Sequence, residues 1–420
     1  MRPNPITLDF RTASSSIWAT MTSAPRLGDV AQGRNNNFDL LRFLAASMVI
    51  VYHEYCVTGT PITTELVFRL TRGRDNFGAL AVAVFFIISG FLVTQSFVRR
   101  DGRLVEFLSA RALRIFPALW VAVPFTIIVS SFASALPWGK YLTHPRTLKF
   151  WLNDSILWNM RFALPGAFLH VPVAGDVNGS LWTLPTEFRM YLVCAGLGVL
   201  GIYASRAAFN ALCLAVLMTV SVTRMEAIPF AQNDIHLAQW VVGFTIGAAF
   251  FVNREHIRLS IPVALLLLAA TYPFRNQDIG RIEVLPAIAY ATLCFCLHPA
   301  LHFRPFHRIG DYSYGLYIYA FPLQQQMVFY HPGIGWRKGF LLTYPIILGT
   351  AILSWHFLEK PALGLKKYFH RGPTTSPRIQ RTDRRTVPGA ALPPVFRASD
   401  TNVPENTERT VAAQPGIRRE

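Results

Sequence analysis

The chain predicts an all-α fold: a polytopic integral membrane helix bundle of about ten transmembrane helices, with N- and C-termini cytoplasmic. Three observations carry that prediction. Of 420 residues, 52% are hydrophobic and only 15% charged, and the mean hydropathy is +0.32. That balance excludes an ordinary soluble globular domain. Apolar runs recur at close to the ~20-residue length a bilayer core demands. Finally, the 40 Lys and Arg residues partition unevenly: 26 fall on one side of the expected spans, 12 on the other, and Arg42 and Arg189 within the membrane. By the positive-inside rule the richer side is cytoplasmic. The same rule accounts for the net charge of +17. No basic helix, finger or RNA-binding signature accompanies that charge, so nucleic acid is not an expected partner.

Taken in order, residues 1–35 are polar and hold no signal-peptide core. They are expected to be a disordered cytoplasmic segment, with the first span directing insertion. A membrane domain over 36–365 follows, with spans expected at 38–58, 78–98, 115–135, 181–203, 207–223, 236–252, 259–274, 282–303, 312–331 and 339–358. The first is apolar yet carries Asp39 and Arg42 at one end and His53 and Glu54 near the other. The basic cluster Arg99, Arg100, Arg103, Arg111 and Arg114 precedes the third span and marks the inner side. Residues 136–178 contain Phe150, Trp151, Trp158 and Phe162, too apolar for a free linker, and are expected to fold over the outer ends of the helices. Trp182 suits an interfacial belt at the start of the fourth span, where Pro185 interrupts helical hydrogen bonding. Tyr312, Tyr314, Tyr317, Tyr319 and Gln324 to Gln326 make the ninth span unusually polar. They either line a cavity or form an aromatic belt, the belt being preferred for Tyr312 and Tyr314. Glu359-Lys360-Pro361 reads as a stop and anchor at the inner surface. Residues 366–420, rich in Pro, Thr, Arg and Ala, are expected to be a disordered cytoplasmic tail. The five cysteines fit neither a zinc site nor a disulfide framework and read as small buried hydrophobes; no metal is expected.

Within the first span, ten residues separate Arg42 from His53. Eleven helical steps are close to three turns, so the two side chains share a face, roughly 16 Å apart along the axis. Each alone has an ordinary reading, Arg42 snorkelling to the inner surface and His53 sitting at the outer one. Their shared face argues for a joint role. A charge at depth costs on the order of 2.5–3.5 kcal/mol, and residues that bear that cost tend to face the protein interior.

Five stretches occur in a telling order: FDLLRFLAASMVIVYH, VAVFFIISGFLVTQSF, RALRIFPALW, NGSLWTLPTEFRMYL, and DYSYGLYIYAFPLQQ with FLEKP near the end. In this the chain resembles the membrane acyltransferase family 3, the polysaccharide O-acyltransferase-like proteins, over about residues 36–365. The resemblance implies transfer of an acyl group, commonly acetyl from cytoplasmic acetyl-CoA, to a hydroxyl of a carbohydrate or other small acceptor. No resident cofactor is implied; acyl-CoA is the donor substrate. The family's Arg/Lys–x10–His motif falls on Arg42 and His53, and its Arg-x-x-Arg motif on Arg111 and Arg114. Its FFxxSGF motif falls on Phe85, Phe86, Ser89, Gly90 and Phe91, and SLWTLPxE on Ser180 to Pro185 and Glu187. Ala81 departs from the pattern, where similar sequences often carry Gly.

These residues suit that chemistry. A hydroxyl attacking a thioester needs a base near pKa 7, which makes His53 the expected general base. Glu54 is adjacent and faces elsewhere, so Glu187 is the expected orienting acid. A purely structural reading of Glu187, pairing with an arginine of a neighbouring helix, stands beside that one. Arg111 and Arg114 would lie side by side on a helix and hold the donor's phosphates, although the topology alone already requires a basic loop there. Ser89-Gly90 permits close helix packing, or leaves a slot for an acyl chain. Trp182 and Tyr191 complete the expected substrate-binding set, Tyr191 sharing a face with Glu187 four residues away. A cell inner membrane, with an envelope or exported carbohydrate as acceptor, is the expected setting. The rival reading is a proton-coupled transporter relaying protons through Arg42, His53 and Glu187. The lack of internal repeats counts against it.

Overall fold

The computed structural model describes residues 24–33, 35–223, 235–274, 280–303 and 310–369. The helices belong to one compact unit, Met1–Arg371. The expected tail lies outside the described residues from 370 onward.

Among the described residues a helix stands at each of the ten expected positions and no strand forms. They are α1 (Phe38–Val57), α2 (Phe77–Val98), α3 (Leu104–Ser131), α4 (Leu184–Val199) and α5 (Arg206–Thr223). After them come α6 (Ile235–Val252), α7 (Ile261–Ala270), α8 (Leu285–Leu297), α9 (Ser313–Tyr330) and α10 (Trp336–Ser354). Among the described residues four stretches are long and apolar enough to cross a bilayer: α1, α2, α3, and α10 with its continuation to Tyr368. Among the shorter apolar helices are α6, α7 and α8. The chain is a membrane protein built on an all-helical bundle. The third helix begins at Leu104, well before the expected 115, so Arg111 and Arg114 sit on its second and third turns rather than in a loop.

Small residues set the closest crossing. A Cβ on Gly90 of α2 would overlap the Phe244 carbonyl of α6, and one on Gly247 of α6 would overlap the Ile87 carbonyl of α2. With Gly243 this makes a small-xxx-small face, the usual way for membrane helices to approach without a hydrophobic driving force. Gly90 therefore packs, as the bland reading of Ser89-Gly90 held.

Two segments outside the ten helices pack onto the bundle, one against expectation and one in line with it. Residues 24–33 lie in the segment expected to be disordered, yet they pair with the α6–α7 connection through Leu27 N–H to Ile257 O (2.8 Å) and Leu259 N–H to Pro25 O (2.9 Å). The 136–178 segment folds as expected. It forms the short helices Trp138–Leu142 and Pro145–Ser155 and buries Phe150 and Phe168 completely. Gln325 Nε2 of α9 donates to Val173 O and Asp176 O at 2.7 Å each, fastening the segment to the bundle. All five cysteines are unbridged and four are buried.

Candidate active site

Three adjoining cavities run through the bundle. One, of about 380 Å3, lies where the ends of α1, α3, α9 and α10 meet; its walls include Arg42, Arg111, Arg114, Asp311 and Lys366. The second, about 50 Å3, is lined by Phe85, Ser89, Thr183, Glu187, Tyr191 and Tyr314 among others, and shares Arg42, Ser89, Arg114 and Tyr191 with the first. The third, about 100 Å3, holds His53 with Tyr52, Asn76, Trp182, His236 and Trp240; it shares Val82 and Tyr317 with the second. The segments at the large cavity (the starts of α1, α3 and α9 and the chain after α10) are those the charge pattern assigns to one side of the membrane.

At the charged end, Arg42 Nη1 donates to Asp311 Oδ2 at 2.7 Å and Arg114 Nη2 donates to the same oxygen at 2.6 Å. Arg114 Nη1 also lies 3.4 Å from Glu359 Oε2, while Ser354 Oγ donates to Glu359 Oε1 at 3.0 Å. Ser313 bonds the other Asp311 oxygen through its backbone N–H and its hydroxyl. Burial pushes the Asp311 carboxyl up, but Arg114 and Arg42 outweigh it and hold that carboxyl down at about 2. Arg111 is different. It makes no ion pair among the described residues. Its guanidinium lies 5.8 Å from the Tyr191 ring centroid, and its Nε is buried without a hydrogen-bond partner. The expected matched pair of phosphate-binding arginines is thus divided, with Arg114 committed to two carboxylates and Arg111 available. Asp311 and Glu359 escaped the sequence reading, which took Glu359 for an anchor; it is 2% exposed and faces Arg114.

In the middle cavity Glu187 Oε1 accepts from Ser89 Oγ at 3.1 Å and from the Tyr191 hydroxyl. The Glu187–Tyr191 bond is what their four-residue spacing predicts. The expectation that Glu187 orients His53 is corrected. The two line different cavities, and the buried Nδ1 of His53 has no hydrogen-bond partner. The α4 helix presents Glu187 toward α2, and a shared helical period cannot reveal which neighbour a face meets. His53 packs edge-on against Phe321 at 5.1 Å. Glu54, fully buried, accepts from Gln324 and from Thr343 (3.4 Å), facing α9 and α10 as its offset from His53 requires. Trp182, expected at the membrane interface, meets Trp240 edge-on at 4.5 Å and forms a wall of the His53 cavity. The belt reading of Tyr312 and Tyr314 does not hold. Both are buried, Tyr314 donating to Ile115 O at 2.9 Å, and Tyr317 bonds Thr183 Oγ1 at 2.6 Å.

A helical membrane bundle with adjoining cavities between a cationic cluster and a buried histidine defines a class. The family model of the acyltransferase domain, acyltransferase family 3, matches residues 35–359. The chain belongs to that family and is an O-acetyltransferase-like enzyme. It is 30% identical over 351 residues to the O-acetyl transferase of Shigella phage Sf6, covering 78% of this chain and 96% of that one. It is also 30% identical over 365 residues to Nodulation protein 10 of Rhizobium leguminosarum bv. viciae, covering 80% and 95%. The peptidoglycan O-acetyltransferase OatA of Listeria monocytogenes is 22% identical over 377 residues, which span 77% of this chain and 55% of that protein. None of these relatives supports the transporter alternative. No solved structure matches the chain significantly.

Proposed function

We propose that the protein takes an acyl group, acetyl in the first instance, from acyl-CoA on the cytoplasmic side and delivers it to a hydroxyl of an envelope or exported carbohydrate. The observation that carries this is the run of adjoining cavities from Arg111 through Ser89 and Glu187 to His53. In this reading the donor's phosphates rest at the cationic end, where a charge-assisted contact can form. The thioester arm threads past Arg42, Ser89 and Tyr191 toward Tyr317. The acceptor enters the third cavity, where Tyr52, Trp182, Trp240 and Tyr317 give aromatic wall for the apolar side of a sugar. His53 takes the hydroxyl proton as the oxygen attacks the thioester carbonyl. The C–S bond breaks, and the proton returns to the departing thiolate. Glu187, held by Ser89 and Tyr191, shapes the narrow middle of the passage. The ten helices cross an inner membrane with both ends cytoplasmic.

Support for O-acetyl transfer comes from the relative named O-acetyl transferase, and support for a carbohydrate acceptor from the one named peptidoglycan O-acetyltransferase. The test is purified protein in liposomes supplied with labelled acetyl-CoA and an envelope polysaccharide. Label is expected in base-labile ester on the carbohydrate. Acetyl-CoA consumption with no labelled ester, or no consumption at all, would overturn the assignment.

A further inference from the structure

We infer that Lys366, beyond the last long helix, binds the donor's 3′-phosphate and is a specificity-determining residue for intact coenzyme A. The inference rests on the acyl-CoA reading above. Lys366 lies past residue 359, where the family match ends, on the short helical turn Leu365–Tyr368, which follows Lys360–Gly364. That turn brings it into the wall of the 380 Å3 cavity beside Leu363, together with Arg42, Arg111 and Arg114.

Charge accounting singles it out. The cavity wall carries four cations, Arg42, Arg111, Arg114 and Lys366, against Asp39 and Asp311. Arg42 and Arg114 are bound to Asp311, and Arg114 also reaches Glu359. Neither Arg111 nor Lys366 forms an ion pair among the described residues. Two cations that face one cavity and form no ion pair with its carboxylates repel each other, and a polyanion there relieves the repulsion. Their depths differ. Arg111 lies against Tyr191, which also lines the middle cavity, whereas Lys366 lines the 380 Å3 cavity but neither of the other two and is half-buried. In coenzyme A the pyrophosphate joins the pantetheine arm and the 3′-phosphate sits on the ribose farther out. With the arm pointing into the bundle, Arg111 meets the pyrophosphate and Lys366 the 3′-phosphate. A lysine is a compact point charge suited to a terminal phosphate.

The same lysine chemistry could serve an anionic lipid headgroup, so binding is to be measured on the full-length protein in zwitterionic nanodiscs, with and without anionic lipid. The ligands are CoA and 3′-dephospho-CoA. The wild type is expected to prefer CoA by about tenfold or more, the size of a charge-assisted contact. Lys366→Gln should bring CoA down to the dephospho-CoA level and leave dephospho-CoA unchanged; Lys366→Arg should restore the preference. Arg111→Gln should weaken both ligands together. The neighbouring Lys367→Gln, which lines no part of the cavity, should change neither. A Lys366→Gln protein that keeps the wild-type preference, or that weakens both ligands equally, overturns the inference. So does an effect confined to discs containing anionic lipid. If the wild type binds neither ligand, the acyl-CoA reading itself falls. If it binds both alike, only the role of Lys366 does.

Discussion

The two ends of the passage satisfy their polar groups in opposite ways. At the cationic end, Arg42, Arg114, Asp311 and Glu359 form a network that joins α1, α3, the start of α9 and the chain after α10. At the other end, His53 stands among aromatic side chains, edge-on to Phe321, with its buried Nδ1 unpartnered. Charges withdrawn from water are tolerable when paired, and removing one partner leaves the other stranded. A neutral imidazole needs no counter-ion, so it can stand among aromatic side chains where a charged group could not. The contrast teaches that charge at the first end ties helices together, while the proposed mechanism assigns Arg111 and Lys366 to the donor's phosphates. The second end holds a histidine whose buried Nδ1 has no partner, where the proposed mechanism places the base. Glu187 belongs to neither, being held by Ser89 and Tyr191 between them.

The sharpest way to break this comparison is at His53. His53→Ala is expected to lower turnover by about 10²–10⁴-fold, the usual worth of a general base. Donor affinity should be unchanged, since His53 lies two cavities away from Arg111. His53→Gln keeps hydrogen bonding but cannot take up a proton, so it should fail nearly as badly in a labelled-acetyl transfer assay. Near-normal transfer by His53→Gln would make the histidine a packing residue.

The opposite pattern is expected at Asp311. Asp311→Asn strands Arg42 and Arg114, and breaking a buried pair in this way costs about 3–5 kcal/mol. Its thermal unfolding midpoint in detergent should fall steeply, whereas His53→Gln should leave it near the wild-type value. Equal midpoints for the two variants would erase the proposed division between a stabilising end and a reactive end.

Arg111→Gln should separate binding from both. Losing one charge-assisted contact costs about 1.5–3 kcal/mol, or roughly 10- to 150-fold in donor KM. No paired carboxylate is left behind, so the unfolding midpoint should stay within a degree or two of wild type, about what a surface-like change produces. An unchanged donor KM would return Arg111 to the positive-inside pattern that first explained it.

The long helices α1, α2, α3 and α10 were legible because a bilayer imposes a length and an apolar composition that twenty consecutive residues either meet or do not, whereas α7 and α8 fall well short of that length. Arg42 and His53 were legible for the same reason, since ionisable groups inside such a run stand out. Their surroundings were not. Asp311 lies 269 residues from Arg42 and Glu359 lies 245 from Arg114. No local period links residues so far apart; Asp311 sits just before α9, and Glu359, inside the helical continuation of α10, is followed by Lys360-Pro361, which made it look like an ordinary anchor. The Glu187–His53 pairing failed because helical spacing reports faces, not neighbours. Trp182 and the α9 tyrosines misled for a related reason: aromatic residues near a membrane boundary suit a lipid interface and a cavity wall equally well.

The smallest expected effect lies outside the passage, in the segment over 136–178, and serves as its control. Asp154, on the short helix Pro145–Ser155, is fully buried. Its Oδ1 accepts from the Arg161 backbone N–H at 2.9 Å, while Oδ2 has no partner. Burial pushes its carboxyl up to about 7, against the smaller downward pull of Arg161. A carboxyl whose folded pKa is raised binds more protons folded than unfolded, where an ordinary Asp titrates near ~3.9. Its stabilising contribution is therefore fully present below about pH 4 and is lost as pH rises toward 7. Resistance of the segment to proteolysis should follow that course. Asp154→Asn cannot ionise, so its resistance should be flatter across that window and should match or exceed the wild type above pH 7. At acidic pH the two should be similar, because the protonated Oδ2 of Asp154 is buried without a partner just as the amide that replaces it would be. Acetyl transfer at a fixed pH should be unaltered, since Asp154 lines none of the three cavities. A pH profile identical in the two proteins would show that this carboxyl titrates normally. A loss of transfer in Asp154→Asn comparable to His53→Gln would extend the reactive end into the outer segment and dissolve the two-ended comparison.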